Sequence, residues 1–441
     1  MNNDTIFALS SGHGKSGVAV IRISGDKLSD IFTKMTHRFE FIPRHAYFTN
    51  LCDTDNNIID QCLMLFFGAP NSFTGQDIIE IQCHGAPAVI NKIFEYLSTL
   101  GMRMAAPGEF SRRAFYNNKM DLADIDGLAA LLDAQTDKQR QRALKSMLGR
   151  DSEIYNSWRT QMIEISAYAA ATLDYSPDDL PADIGTRIQK QTKKLYDEIN
   201  SALCGYGTAR AIRGGINIVL VGETNVGKSS IFNYILGSNR AIVSDIAGTT
   251  RDVVSANLDI DGYMVNLSDT AGIRETDDTI ESIGIERTKS EIETADIILN
   301  VYTPNNIPNI EIYDSRIGPN TSIDIVNKSD TIDIKETNKR YNTIYVSAKT
   351  GNGMEELMNT IRQTIHELFD NTESELTINA RTKTLLESAR DELSHAMTAG
   401  ENYDIFAEHT RRAADCIGKI LGTITANEVL DMTFGQLCLG K

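Results

Sequence analysis

The stretch Gly222-Glu-Thr-Asn-Val-Gly-Lys-Ser229 constrains this chain more than any other. It fits G-x-x-x-x-G-K-[ST], a loop whose glycines let successive backbone N–H groups curl around phosphate oxygens. Such a loop needs a strand before it and a helix after it. Both patterns are present. Ile216-Asn-Ile-Val-Leu-Val221 is a short apolar run that reads as a buried strand, and 229–236 reads as a helix stopped by Gly237. The helix N-terminus adds partial positive charge. Lys228 can reach the β- and γ-phosphates, and the Ser229 hydroxyl can sit on Mg²⁺.

A chance glycine turn would not be followed, in order, by three further nucleotide motifs. These are Asp269-Thr-Ala-Gly272, Asn327-Lys-Ser-Asp330 and Ser347-Ala-Lys349. Asp269 follows the strand pattern Tyr263-Met-Val-Asn-Leu267, so its carboxylate can face the metal through water, and the Gly272 N–H can meet the γ-phosphate. A carboxylate at Asp330 accepts from guanine N1–H and the exocyclic amine, donors that adenine lacks in that arrangement. GTP is the substrate the four motifs select, and the set resembles that of the translation-factor-like GTPases.

At 441 residues the chain is expected to hold about two to four domains. Its formal charge of −17 argues against a protein that coats nucleic acid. A local basic patch or a basic partner remains the route to an RNA. The cysteines at 52, 62, 83, 204, 416 and 438 include no C-x-x-C pair, so neither a zinc site nor a disulfide framework is indicated. Reduced cytoplasm is the expected compartment. No signal peptide pattern opens the sequence and no membrane-length apolar run interrupts it.

Residues 1–118 read as α+β, with strand patterns at Val18-Ala-Val-Ile-Arg-Ile23, Cys62-Leu-Met-Leu-Phe-Phe67 and Asp77-Ile-Ile-Glu-Ile-Gln-Cys83, and a helix over 88–100 closed by Gly101. Gly12-His-Gly-Lys-Ser16 looks like the tail of a phosphate loop but lacks its first glycine, Leu9 standing there, and precedes a strand instead of following one. From 119 to 212 the pattern turns helical: Leu122, Ile125, Leu128, Ala129 and Leu132 share one face, and Ile154, Trp158, Met162, Ile165 and Ala169 continue the period. Pro177 and Pro181 break it, and a third helical stretch covers 183–211. The GTPase occupies 213–372. Helical pattern returns over 378–421, so the economical account is an α/β domain inserted into a helical one. The stretch 301–322 shows no clear element.

Two features of the GTPase are unusual. The residue after D-x-x-G is Ile273, which cannot polarise a water as the glutamine of Ras-like enzymes does. Glu275, Asp277, Asp278 and Glu281 lie just downstream as replacements, or as a solvated loop. Asn225 inside the phosphate loop offers an amide oxygen to a monovalent cation beside the phosphates, or simply tightens the turn.

The chain resembles the tRNA modification GTPase MnmE (TrmE) family along nearly its whole length. The resemblance rests on Asp4-Thr-Ile6, Gly17-Val-Ala-Val-Ile-Arg-Ile-Ser-Gly25, Pro70-Asn-Ser-Phe-Thr-Gly75, His84-Gly85, Pro107-Gly-Glu-Phe110, Arg113-Ala-Phe115, Lys119-Met-Asp-Leu122, Asp245-Ile-Ala-Gly-Thr-Thr-Arg-Asp252, Asp269-Thr-Ala-Gly-Ile-Arg274 and the ending Cys438-Leu-Gly-Lys441. Gln76, Ala86 and Leu439 depart from the family's usual Glu, Gly and Ile. The family implies an α+β N-terminal folate-binding domain (1–118) that forms the homodimer. An all-α helical domain (119–212 and 373–441) carries the inserted α/β P-loop GTPase (213–372). It also implies an FAD- and NADH-using MnmG partner. Together the two build an aminomethyl or carboxymethylaminomethyl group on C5 of the wobble uridine of certain tRNAs.

Carried over residue by residue, the nucleotide site comprises Asn225, Val226, Gly227, Lys228, Ser229 and Ser230, then Ser244, Asp245, Ile246, Ala247, Gly248, Thr249 and Thr250. It continues with Asp269, Thr270, Ala271 and Gly272, and with Asn327, Lys328, Asp330, Ser347, Ala348 and Lys349. Ser229 and Thr250 fall on the Mg²⁺ ligands, and Asn225, Ser244, Ile246 and Thr249 on those for K⁺. Glu281 falls on the water-orienting glutamate. Arg22, Glu80, Lys119 and Lys441 fall on positions that contact 5-formyl-tetrahydrofolate or a related folate. A cation suits the folate's anionic tail and a carboxylate suits its pterin edge. Cys438 is a nucleophile or acid/base for that site, or a small residue docking the terminus. The competing reading is a ribosome-assembly GTPase of the Era or Der kind, which appends RNA-binding modules that this acidic chain does not display.

Overall fold

The computed structural model describes residues 4–174, 181, 183–242, 254–269, 291–306, 321–332, 343–370 and 376–423. Two compact units divide the chain, one of Met1–Ala129, Lys145–Thr192 and Asp391–Lys441, the other of Ala130–Leu144 and Lys193–Arg390.

The first unit opens with strands β1 (Ile6–Leu9), β2 (Ser16–Gly25), β3 (Tyr47–Cys52), β4 (Ile58–Phe67), β5 (Asp77–Gly85) and β6 (Arg103–Met104), paired in the order β3-β4-β5-β2-β1-β6. Only the β1–β6 pairing is parallel. Period-two alternation sends Ala19, Ile21 and Ile23 of β2 and Ile79, Ile81 and Cys83 of β5 into one core, against helices α1 (Ser29–Thr36) and α2 (Pro87–Thr99). Three rings seal one end, with Phe32 centred 4.7 Å from Phe41 and 5.6 Å from Phe66. The expected strands and the expected helix appear as β2, β4, β5 and α2. The segment 10–15, with its two glycines, is the turn between antiparallel β1 and β2, and no helix follows it.

The helical pattern of 119–212 is more broken than its periodicity implies. Helices α3 (Glu109–Tyr116), α4 (Leu122–Asp133), α5 (Asp137–Met147) and α6 (Arg150–Asp174) are followed by α7 (Ile184–Cys204) and α8 (Tyr206–Gly214), so the third stretch is two helices parted at Gly205. Leu132 is exposed and does not join the face of Leu122, Ile125 and Leu128. Trp158, Met162, Ile165 and Ala169 of α6 are buried as their spacing requires. Among the described residues Cys52, Cys62, Cys83, Cys204 and Cys416 are free thiols, and burial pushes Cys62 up to about 12 and Cys83 up to about 11, which makes both poor nucleophiles.

In the second unit β7 (Ile216–Val221) leads to α9 (Lys228–Ser238), then β8 (Arg240–Ile242), β9 (Val254–Ile260), β10 (Tyr263–Asp269), β11 (Ile297–Tyr302), β12 (Thr321–Val326), β13 (Thr343–Tyr345) and α10 (Met354–Phe369). The sheet runs β13-β12-β11-β7-β10-β9-β8, parallel from β13 to β10 and antiparallel through β9 and β8. After β7 the chain builds outward on the β10 side, then crosses to β11. The carboxyl end of β7 is therefore the switch point at which doubly wound sheets take their ligands. Residues 301–302 and 321–322 prove to be strand ends of β11 and β12, while 307–320 lie outside the described residues. The helical pattern over 378–421 is two helices, α11 (Ala380–Ala399) and α12 (Tyr403–Leu421), turned at Gly400–Asn402.

The end of α10 is fastened to the β9–β10 turn by titrating groups. Asp370 accepts from Tyr263 Oη at 2.5 Å and from Lys138 Nζ at 3.1 Å, and it pairs with His366 Nδ1, whose Nε2 lies 3.2 Å from Asp261. Burial alone would raise Asp370, but these hydrogen bonds outweigh it and hold the carboxyl down to about 2. The bonds to Asp370 and then Asp261 lift His366 above its ordinary 6.5. A raised histidine stabilises most below its unfolded value, and the gain disappears as pH climbs through the folded one. The melting temperature of the wild-type chain is therefore expected to fall as pH rises from below the ordinary histidine value to above it, and the His366→Gln chain to lose that component of the slope in paired calorimetric scans.

Candidate functional site

Val221 hands the chain from β7 to a loop whose backbone leaves little choice of residue. Gly222 sits at φ +155, and a Cβ there would lie 2.3 Å from the Val301 carbonyl oxygen of β11. Asn225 takes the left-handed conformation at φ +63. Gly227 has φ +98, and its Cβ would fall 2.1 Å from Asn327 Nδ2. Gly227 caps α9 without a side-chain oxygen, which leaves the first N–H groups of that helix to an anion. Lys228 is buried and donates to the carbonyls of Gly222 at 2.7 Å and Glu223 at 2.9 Å. That burial lowers its pKa, against the opposing pull of the Asp269 carboxylate.

Asp269 ends β10 in parallel register with Leu220, and its Oδ2 accepts from Ser229 Oγ at 2.8 Å. A hydroxyl and a carboxylate brought together at a phosphate loop form an oxygen donor set of the kind Mg²⁺ takes. Beside them a hollow of about 410 Å³ is lined by Gly222, Glu223, Val226, Asn300, Tyr302 and Asn306, among others.

Two more loops close on the first. Asn327, just past β12, donates from Nδ2 to the Val226 carbonyl at 2.9 Å and accepts the Ala348 N–H on Oδ1 at 3.1 Å. Lys328, itself left-handed at φ +62, donates to the Asn225 carbonyl at 2.7 Å. The hydroxyl of Ser347 donates to Asp330 Oδ1 at 2.7 Å and holds that carboxyl below the usual range. The structure thus brings Asn225, Val226, Gly227, Lys228, Ser229, Asp269, Asn327, Lys328, Asp330, Ser347 and Ala348 into one connected set, with Ser230 and Lys349 exposed alongside. Ser244, Asp245, Ile246, Ala247, Gly248, Thr249, Thr250, Thr270, Ala271, Gly272 and Glu281 lie outside the described residues. So do Cys438 and Lys441.

In the first unit the loop 70–76 lies against three of the expected folate residues, Arg22, Glu80 and Lys119. Arg22 and Glu80, read separately as grips for opposite ends of a ligand, are paired with each other. Arg22 Nη2 lies 2.9 Å and Nε 3.1 Å from Glu80 Oε1, because antiparallel register sets the two residues side by side on β2 and β5. The guanidinium lies 5.3 Å from the centre of the Phe73 ring. At the other end of the loop a Cβ on Gly75 would meet Lys119 Cγ at 3.4 Å. Lys119 also lines a hollow of about 400 Å³ with Phe115, Tyr116, Leu421 and Gly422. Gln76 accepts from Arg113 at 2.9 Å and donates to Asp26 at 3.1 Å, a donor role that the family's usual Glu could not fill when ionised.

A profile described as the MnmE helical domain matches residues 122–438, and one described as the GTP-binding protein TrmE N-terminus matches 5–119. The chain is 39% identical over 448 residues to the tRNA modification GTPase MnmE of Agrobacterium fabrum, covering 99% of both chains. It is 38% identical to the protein of the same name from Bartonella henselae, over 99% of this chain and all of that one. The chain belongs to the MnmE family. Among solved structures it is similar to Era of Aquifex aeolicus bound to GDP and AlF₄⁻, at 30% identity over 34% of this chain and 56% of that one, with a TM-score of 0.26.

For a member of the MnmE family, motif spacing identifies the phosphate loop and the base reader but not the bonds that tie them. Asn306, which donates to Glu223 at 2.5 Å, and Tyr302 at the rim carried no motif signal at all. Only the placement of β11 beside β7 brings them to the site.

Proposed function

We propose that this chain is a potassium-stimulated GTP hydrolase that works in modification of the wobble uridine of certain tRNAs. In this reading it acts as a cytoplasmic homodimer with an FAD-containing MnmG-type partner, and the pair place an aminomethyl or carboxymethylaminomethyl group on C5. The observation that carries the GTPase half is the fastening of the phosphate loop to the guanine reader through Asn327 and Lys328. Full-length similarity to tRNA modification GTPases supports the rest. No helix among the described residues is long and apolar enough to cross a membrane.

In this reading Lys228 exchanges its loop carbonyls for β- and γ-phosphate oxygens, and Asp330 accepts from the guanine edge. Ser229 and Thr250 hold Mg²⁺, which neutralises charge on the phosphates. Asn225, exposed at the tip of the loop, joins Ser244, Ile246 and Thr249 around K⁺, which adds positive charge where an arginine finger would. Glu281 orients the attacking water in place of the missing glutamine. Arg22, Glu80, Lys119 and Lys441 hold a folate that supplies a one-carbon unit. The Arg22–Glu80 pair fits such a ligand, since two opposite charges fixed side by side offer both a donor fork and an acceptor edge. The folate-binding and dimer-forming part is 1–118, the GTPase 213–372, and the helical part 119–212 with 373–441.

Nucleoside mass spectrometry of bulk tRNA tests the proposal. Cells depleted of the protein are expected to lose the C5-substituted uridine and to regain it with the full chain but not with one lacking residues 438–441. An unchanged nucleoside profile would favour a ribosome-assembly role instead. The purified chain is expected to hydrolyse GTP faster in potassium than in sodium. Glu281→Ala is expected to lower the rate by at least about tenfold, and parental turnover in that variant would remove Glu281 from the mechanism.

A further inference from the structure

Two histidines and a glutamate converge where α11 and α12 lie side by side, in the first unit. Glu392 and His395 stand three residues apart on α11 and therefore share a face. His409 reaches them from α12, its Nδ1 lying 2.6 Å from Glu392 Oε2. The two imidazole rings are centred 5.3 Å apart at 49°. One potential ligand atom from each of the three side chains falls within 4.8 Å of the others. His395 is exposed, and the other two are half-buried.

We infer that Glu392, His395 and His409 form a binding site for a divalent transition-metal ion, Zn²⁺ by the chemistry of the donors. Two imidazoles and one carboxylate are a zinc donor set that leaves a fourth position to water. Four-coordinate zinc at about 2.0–2.1 Å from each donor sets ligand atoms about 3.4 Å apart. Binding requires the spread to close to that value by side-chain rotation, for which exposed His395 has room. The helices themselves need not move. Leu393 and Ala396 of α11 and Phe406 and Ala413 of α12 are buried, and α12 packs along α6, where Ser166 Oγ donates to the Ala407 carbonyl at 3.1 Å. Rigid elements carrying ligands at their exposed edge are what a preorganised metal site needs. The nearby carboxylate of Glu408 is engaged by Arg411 and Arg412 and does not compete. The bound ion pins α11 to α12 across their common turn.

The experiment uses the full-length chain, freed of metal and then loaded with Mg²⁺ and GDP, titrated with Zn²⁺ alone in a calorimeter. One zinc per chain is expected at this cluster, with a rise in melting temperature. His395→Gln and His409→Gln are each expected to weaken binding by at least about tenfold. His395→Gln is the decisive variant, since its exposed side chain leaves the metal-free melt where it was. No binding under a large zinc excess would overturn the inference. So would binding of equal strength in the His395→Gln chain, which would place the zinc on thiols or acidic groups elsewhere.

Discussion

Replacing Gly227 by alanine is expected to lower guanine-nucleotide affinity by about a hundredfold while leaving the sheet intact. Two costs combine. A φ of +98 is strained for any residue with a Cβ, at about 1–2 kcal/mol. The new methyl also falls 2.1 Å from Asn327 Nδ2, so that amide must swing away and lose its bond to Val226, worth about 0.5–1.5 kcal/mol. Together these approach 3 kcal/mol, about two factors of ten in binding. The core beneath, with Ile218, Leu220, Ile231 and Phe232 buried, is untouched. Titration with a fluorescent GDP analogue measures the affinity, and circular dichroism checks the fold. Wild-type affinity in the variant would mean that the loop relaxes freely and that the Asn327 contact is dispensable.

The Asp330→Asn chain is expected to lose GTP affinity on the order of a thousandfold and to gain affinity for xanthosine triphosphate. In the proposed role an ionised Asp330 accepts two hydrogen bonds from guanine, both strengthened by its charge. An asparagine presents an N–H₂ to the exocyclic amine of guanine, donor against donor. Xanthine has an oxygen at that place and accepts. The Ser347 hydroxyl decides the orientation of the new amide, because it already donates to one carboxylate oxygen and will hold the amide oxygen there. The N–H₂ then faces the base. Competition between the two triphosphates, measured as hydrolysis rates, reads the switch. Unaltered preference for GTP would take Asp330 out of base recognition.

How much of this was legible before the fold was known follows from how far apart the cooperating residues lie. The phosphate loop is eight consecutive residues, and the strand read at 216–221 has those bounds in the structure, since its apolar run is local and continuous. The Arg22–Glu80 pair is 58 residues apart in sequence and depends on the register of β2 against β5, which no local pattern encodes. The breaks within the helical stretches were not legible for a related reason. The helical pattern continues across Gly205 and Gly400, so periodicity alone cannot locate the break. Leu132 kept that period and still ended exposed, near the end of α4. Short strands such as β13, of three residues, offer no period to read. The His409–Glu392 contact has the same character, since its partners sit on separate helices.

The bonds from Lys328 to Asn225 and from Asn327 to Val226 carry a consequence for analogue design. In the proposed site they join the base-reading loop to the phosphate loop, so the distance between the two is set by the protein. A guanine compound with a longer or shorter bridge between base and phosphate presents correct chemistry at both ends and still fails to seat both at once. The site gauges the span of a nucleotide as strictly as it recognises its parts.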